Sequence, residues 1–196
     1  KKSYTKLCDN HVTYKTTIRT NGSIVGGYVS YVNAYGMIKN VTATVDIKGF
    51  KTIGGLVGNL GDAGQLLPAQ IDDITLYGKV EGIEVVGGVV GSAVNQSLDN
   101  LYHISDTTSY VDVIGGGHVG GIIGGFNEGT TKKFKINNTW MAGTVDLNTD
   151  YAYQTGMIHR NYLYWGSFYG YQSKNYSTDA TSVFFDNSGT LHDVKI

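Results

Sequence analysis

The chain has 196 residues, a formal net charge of −1 and 16% charged residues. That length suits one domain with a sizeable core. So low and balanced a charge argues against a nucleic-acid partner, because the longest basic stretch is Thr131-Lys132-Lys133-Phe134-Lys135. No run of 18 apolar residues exists to insert into a membrane. Cys8 is the only cysteine, which excludes an internal disulfide and a cysteine-based zinc site.

Glycine is abundant at 28 residues, tyrosine reaches 15, and Pro68 is the only proline. Gly, Val, Ile, Tyr, Thr and Asn belong to strands and tight turns. No long window places apolar residues at helical spacing, so very little helix is expected. The chain opens on Lys1-Lys2 without a signal-peptide pattern and is read as a segment of a longer polypeptide. Residues 1–21 hold two strand-like words, Val12-Thr13-Tyr14 and Thr17-Ile18-Arg19. They are expected either to complete a first coil or to form a junction with an upstream domain.

From residue 22 onward a unit repeats. Its first word pairs two glycines with two aliphatics and a third glycine: Gly54-Gly55-Leu56-Val57-Gly58, Gly87-Gly88-Val89-Val90-Gly91 and Gly120-Gly121-Ile122-Ile123-Gly124. Weaker copies stand at Gly26-Gly27-Tyr28-Val29-Ser30 and Gly156-Met157-Ile158-His159, which puts successive copies 28, 33, 33 and 35 residues apart. A second word follows as Ile38-Lys39-Asn40-Val41, Ile71-Asp72-Asp73-Ile74, Leu98-Asp99-Asn100-Leu101 and Ile136-Asn137-Asn138-Thr139. The third word is Thr44-Val45-Asp46, Lys79-Val80-Glu81 and Thr144-Val145-Asp146, with an irregular Tyr110-Val111-Asp112-Val113 in the third unit.

Three short strand words per unit, in fixed order and with drifting gaps, predict a solenoid. The expected fold is all-β: a right-handed parallel β-helix of four to five coils. Alternation places Ile53, Gly55 and Val57 on one face of a strand, with Val86, Gly88, Val90 and Val119, Gly121, Ile123 stacked over them. Asn40, Asp73, Asn100 and Asn138 align at a bend, where Asn and Asp tolerate left-handed backbone. A hydrogen-bonding ladder is preferred there over a calcium site, since Asp73 alone of the four is charged.

The Gly54-Gly55-Leu56-Val57-Gly58, Ile71-Asp72-Asp73-Ile74 and Gly78-Lys79-Val80-Glu81-Gly82 words resemble the GLUG repeat. The closing Val183-Phe184-Phe185-Asp186-Asn187-Ser188-Gly189-Thr190 is similar to that family's final segment, and the likeness covers roughly residues 22–191. GLUG repeats occur in large bacterial surface and secreted proteins. These include adhesin-like proteins and, outside the catalytic domain, zinc metallopeptidases that cleave immunoglobulin A. The resemblance implies an extracellular or cell-surface setting and a non-catalytic spacer or ligand-binding role, or an accessory domain of such a peptidase. It implies no functional residues.

No catalytic centre is expected, and no cofactor or metal site. His11, His103, His118, His159 and His192 include no pair at the spacing of a zinc-peptidase helix, and no Gly-x-Ser-x-Gly word occurs. A β-helix carbohydrate-active enzyme is the runner-up. Asp62, Asp72, Asp73, Asp99, Asp106, Asp112 and Asp146 are its candidate acids, but no pattern marks a cleft. Composition breaks from the repeat between Tyr151 and Tyr171, where eight aromatics crowd together beside His159 and Arg160. These rings are expected to close the last coils as a lid. In part they are also expected to bind a host glycan or protein through Arg160, Tyr162, Tyr164 and Trp165.

Overall fold

The structure is a computed structural model and describes residues 11–33, 36–61, 69–93, 102–126, 134–147, 183–185 and 191–193. The expected all-β parallel solenoid is what the chain forms. Every strand of the solenoid pairs in parallel with its neighbours, and no helix occurs among the described residues. A long sheet stacks β1 (Val12–Arg19), β4 (Met37–Lys48), β7 (Gln70–Glu81), β10 (Tyr102–Gly115) and β13 (Phe134–Met141), with β14 (Val145–Leu147) also on β10. A second sheet stacks β2 (Ile24–Gly26), β5 (Thr52–Gly54), β8 (Val85–Gly87) and β11 (His118–Gly120). A third stacks β3 (Val29–Val32), β6 (Val57–Leu60), β9 (Val90–Ala93) and β12 (Ile123–Phe126). From β3 to β12 the chain completes three turns, and the long sheet carries one rung more than the other two. Residues 12–19 belong to the first coil as its long-sheet strand.

The core fills the space between the three sheets, in columns set by the register. Val41 lies over Ile74, Ile38 over Ile71 and Ile104, and Ile47 over Val80 and Val113. Val57, Val90 and Ile123 form a matching column in the third sheet, and all three are fully buried. Each such side chain contributes about 1.5–3 kcal/mol by leaving water. The first rung is only partly covered: Val12, Tyr14 and Ile18 pack against the core from one side. Tyr14 meets Tyr28 with ring centroids 5.7 Å apart, and burial, reinforced by Tyr28, pushes its hydroxyl well above the ordinary tyrosine range.

The Gly-Gly words differ from the expected single strand. Gly54 ends β5, Val57 begins β6, and Gly55-Leu56 turns the corner between two sheets. Alternation breaks at this corner, where the consecutive pairs Leu56-Val57, Val89-Val90 and Ile122-Ile123 are all fully buried. Leu56, Val89 and Ile122 point inward at the bend and are fully buried. The corners are hydrogen-bonded from rung to rung: the Gly55 N–H donates to the Gly87 carbonyl at 3.2 Å and the Leu56 N–H to the Val89 carbonyl at 2.9 Å. The ladder thus runs unbroken from the second sheet into the third and leaves no orphaned amide at these positions.

Two further words are corrected. The residue in register with Asp73 and Asn138 in the third unit is Asp106, within Ile104-Ser105-Asp106-Thr107, and not Asn100, which lies outside the described residues. In the third word, Val80 pairs with Ile47 and Val113, two positions on from the expected Val45. Val45 faces Gly78 instead.

The Val183–Phe185 strand, β15, pairs antiparallel with β16 (Leu191–Asp193), a hairpin that the repeat pattern did not foretell.

Among the described residues, Tyr14, Asn59 and Ser109 each bury a side-chain polar atom that has no hydrogen-bond partner. Ser109 occupies the column that Ala43, Leu76 and Met141 fill on other rungs. It is fully buried, and its hydroxyl has no hydrogen-bond partner. Ser109→Ala is therefore expected to stabilise the fold by about 1 kcal/mol, read as a rise of about 2–4 °C in melting temperature. A lower melting temperature would mean that the hydroxyl does useful bonding.

Candidate functional site

The expected ligand-binding residues Arg160, Tyr162, Tyr164 and Trp165 lie outside the described residues. Within the described residues, the outer face of the long sheet gathers the most binding chemistry. In a strand, alternate residues point away from the core, and parallel register stacks like positions in columns about 4.8 Å apart.

The central outward column is Thr13, Thr42, Thr75 and Thr108, continued by Trp140 on the last rung. Beside it runs Lys15, Thr44, Tyr77 and Tyr110, each two residues further along its strand. The Tyr77 and Tyr110 rings stack with centroids 5.0 Å apart and planes 4° from parallel. Tyr77 and Tyr110 are 43% and 46% exposed and Trp140 is 55% exposed, so this face retains large aromatic surface in water. Ala142, exposed and bonded through its N–H to the Ser109 carbonyl at 2.8 Å, follows Met141 on Trp140's rung.

On the other side of the threonines stand Asn40, Asp73, Asp106 and Asn138, with φ of 57°, 52°, 47° and 43°. These are the non-glycine residues with left-handed backbone among the described residues, and short polar side chains are what that conformation admits. The extra residue turns the chain on these four rungs, so residues on both sides of it face the core: Ile38 and Val41, Ile71 and Ile74, Ile104 and Thr107. The amide of Asn138 donates to Asp106 Oδ1 at 2.5 Å, one rung-to-rung bond of the kind expected at this bend. Asp73 is exposed and has no hydrogen-bond or ion-pair partner among the described residues.

Several charges on this face are arranged in pairs, whereas Lys15 forms no ion pair among the described residues. Lys39 meets Asp72 at 2.8 Å, and the Ser105 hydroxyl donates to Asp72 Oδ1 at 2.8 Å. Partial burial tends to raise the Asp72 carboxyl, but Lys39 and Ser105 outweigh it and hold the group below its ordinary value. Arg19 pairs with Asp46, Lys48 with Glu81 at 2.7 Å and Lys79 with Glu81 at 3.3 Å. Asp112 Oδ1 accepts from both the N–H and the hydroxyl of Thr144 at 2.9 Å.

The result is a trough along the solenoid axis. Threonine hydroxyls form its floor, stacked tyrosines one wall, and acids and amides the other, and Trp140 stands at its end. A separate open groove of roughly 570 Å³ lies where the long sheet turns into the second, between Arg19, Lys48, Phe50 and Ile83. Both of its cations are already held by Asp46 and Glu81. Among the described residues no three His, Cys, Asp or Glu come together as a metal would require.

Sequence reasoning missed the trough, although its signal was present. Leu76 points inward, so Tyr77 must point outward, and the 33-residue repeat sets Tyr110 beside it. Comparison with known proteins adds no neighbour: no family model, no curated protein and no solved structure matches the chain.

Proposed function

We propose that this chain is a non-catalytic repeat module of a bacterial surface or secreted protein, a stiff rod that carries a ligand-binding face. The observation that carries this reading is that Tyr77, Tyr110 and Trp140 stand exposed on consecutive rungs of the long sheet, in two adjacent columns. Rings left in water beside hydrogen-bonding groups contribute nothing to the core, yet they are the residues that anchor interfaces. The rest of the repeat supports the spacer half of the reading. The corner between the second and third sheets takes two residues in every coil, whereas the connections from the third sheet back to the long sheet (33–36, 61–69, 94–101 and 127–133) vary in length. A rigid stack with its widest variation at one corner suits presentation rather than turnover. The likeness of the glycine words to GLUG repeats points the same way.

The test is adhesion. Inert beads coated with the chain are expected to be retained on host cell layers well above bare beads. A Tyr77→Ala, Tyr110→Ala, Trp140→Ala triple variant is expected to lose most of that retention, roughly tenfold, while keeping its β-rich circular dichroism spectrum. Beads held no better than bare ones, or a folded triple variant that adheres as well as the parent, would overturn the proposal.

A further inference from the structure

We infer that the trough on the long sheet takes a neutral, hydroxyl-rich polysaccharide in extended form, lying along the solenoid axis across several rungs. The inference rests on the binding-module reading above and adds the chemical class of the ligand.

Periodicity is the first argument. The floor presents the same group on successive rungs, Thr13, Thr42, Thr75 and Thr108, at a spacing of about 4.8 Å. That is the scale of one sugar unit in an extended chain. Successive units of a polysaccharide would meet chemically equivalent hydroxyls, each able to donate and to accept. A folded protein partner offers no such repeat.

The second argument is the distribution of apolar surface. Aromatic area here is confined to one wall and one end of a polar floor, rather than forming a contiguous patch. The Tyr77 and Tyr110 rings stack with planes 4° from parallel, so the faces they turn to each other are already covered. Beyond Tyr110 the next residue in that column is the small Ala142, and Trp140 flanks it on the same rung. Room for a sugar ring against an aromatic face therefore lies at this end.

Charge decides between neutral and anionic chains. Lys39 and Lys79 are engaged by Asp72 and Glu81, which leaves Lys15 on the first rung, two rungs from Tyr77, as the cation of this face without an ion pair among the described residues. Asp73 is unpartnered among the described residues, and Asp106 accepts an amide proton from Asn138 and lies within hydrogen-bonding reach of the Asp72 carboxyl. The acidic wall repels sulfated or uronic polymers and offers carboxylate acceptors to sugar hydroxyls, the stronger kind of hydrogen bond.

The experiment is co-sedimentation of the chain with cellulose, chitin and insoluble β-1,3-glucan, together with affinity electrophoresis in gels containing soluble β-glucan, mannan, alginate or heparin. Retention by at least one neutral polymer is expected, unchanged between about 50 mM and about 500 mM salt. Tyr110→Ala combined with Trp140→Ala is expected to weaken it roughly tenfold. Should that variant fail to fold, Thr75→Val removes one floor hydroxyl without changing shape and is expected to weaken binding roughly threefold. Asp73→Asn keeps a residue suited to the left-handed backbone and is expected to lower discrimination against alginate. Retention by no neutral polymer, or stronger binding to alginate or heparin that disappears in salt, would overturn the inference. Beads that still adhere to cells in that event would leave the binding-module reading standing with a different ligand.

Discussion

Val90→Asp is expected to abolish the cooperative thermal transition of the central coils. Val90 is fully buried and sits in register between Val57 and Ile123, so its side chain has aliphatic neighbours on both rungs. The change forfeits about 1.5–3 kcal/mol of apolar burial. It also places a carboxylate where no cation or donor faces it, a cost of about 3–5 kcal/mol for an unpaired buried charge. Against a typical total stability of about 5–15 kcal/mol, the sum removes most of the margin. A solenoid distributes the damage unevenly, because each coil is held by its two neighbours alone. Circular dichroism should show loss of the melting transition, and amide exchange should show lost protection in β6, β9 and β12. Tyr31→Asp is the control. It lies on the outer side of the same sheet at 52% exposure and is expected to melt close to the parent. A Val90→Asp variant that melts within a few degrees of the parent would refute the stacked column.

The sequence made parts of this fold legible and hid others for identifiable reasons. Gly54-Gly55 and Gly87-Gly88 announced the repeat because an added Cβ at each would collide with backbone, whereas at Gly121 it would meet the Met141 side chain. Asn40, Asp73 and Asn138 were legible because left-handed backbone selects short polar side chains. Asp106 was not, because Thr107 stands where Val41 and Ile74 are aliphatic. Thr107 is buried with its hydroxyl donating to the Ser105 carbonyl at 2.9 Å, so a core position looks polar in the sequence. The third word slipped by two positions because Gly78, with a φ of 111°, stands where Val45 is aliphatic, although the register runs unbroken from Leu76 to Val80. The candidate site suffered from distance. The aromatic cluster at 151–171 is contiguous in sequence and draws attention, whereas Tyr77 and Tyr110 become neighbours only when the coils stack.

Gly87→Ala should be as damaging as many large core truncations, although it adds a single methyl group. Gly87 ends β8, and a Cβ there would overlap the Val90 carbonyl oxygen and stand 2.6 Å from the Gly124 backbone nitrogen. Neither obstacle is a flexible side chain that could swing away. One belongs to the corner's own turn and the other to the next coil, so relief requires the two coils to separate. Separation strains the corner ladder, in which the Gly55 N–H bonds to the Gly87 carbonyl and the Gly88 N–H to the Gly120 carbonyl. Overpacking of a well-filled interior costs about 1–3 kcal/mol where side chains yield, and a backbone collision should reach or pass the top of that range. The expected fall in melting temperature is about 6–12 °C, taking about 3 kcal/mol and the usual scaling for a domain of this size. Gly22→Ala provides the contrast. Its added methyl meets the Thr20 hydroxyl at 3.3 Å and a Val25 methyl at 3.5 Å, groups able to give way. It should melt within a degree or two of the parent. Equal, small effects of the two substitutions would show that the coils are not in backbone contact at the corner, and the stacking of the second and third sheets would have to be redrawn.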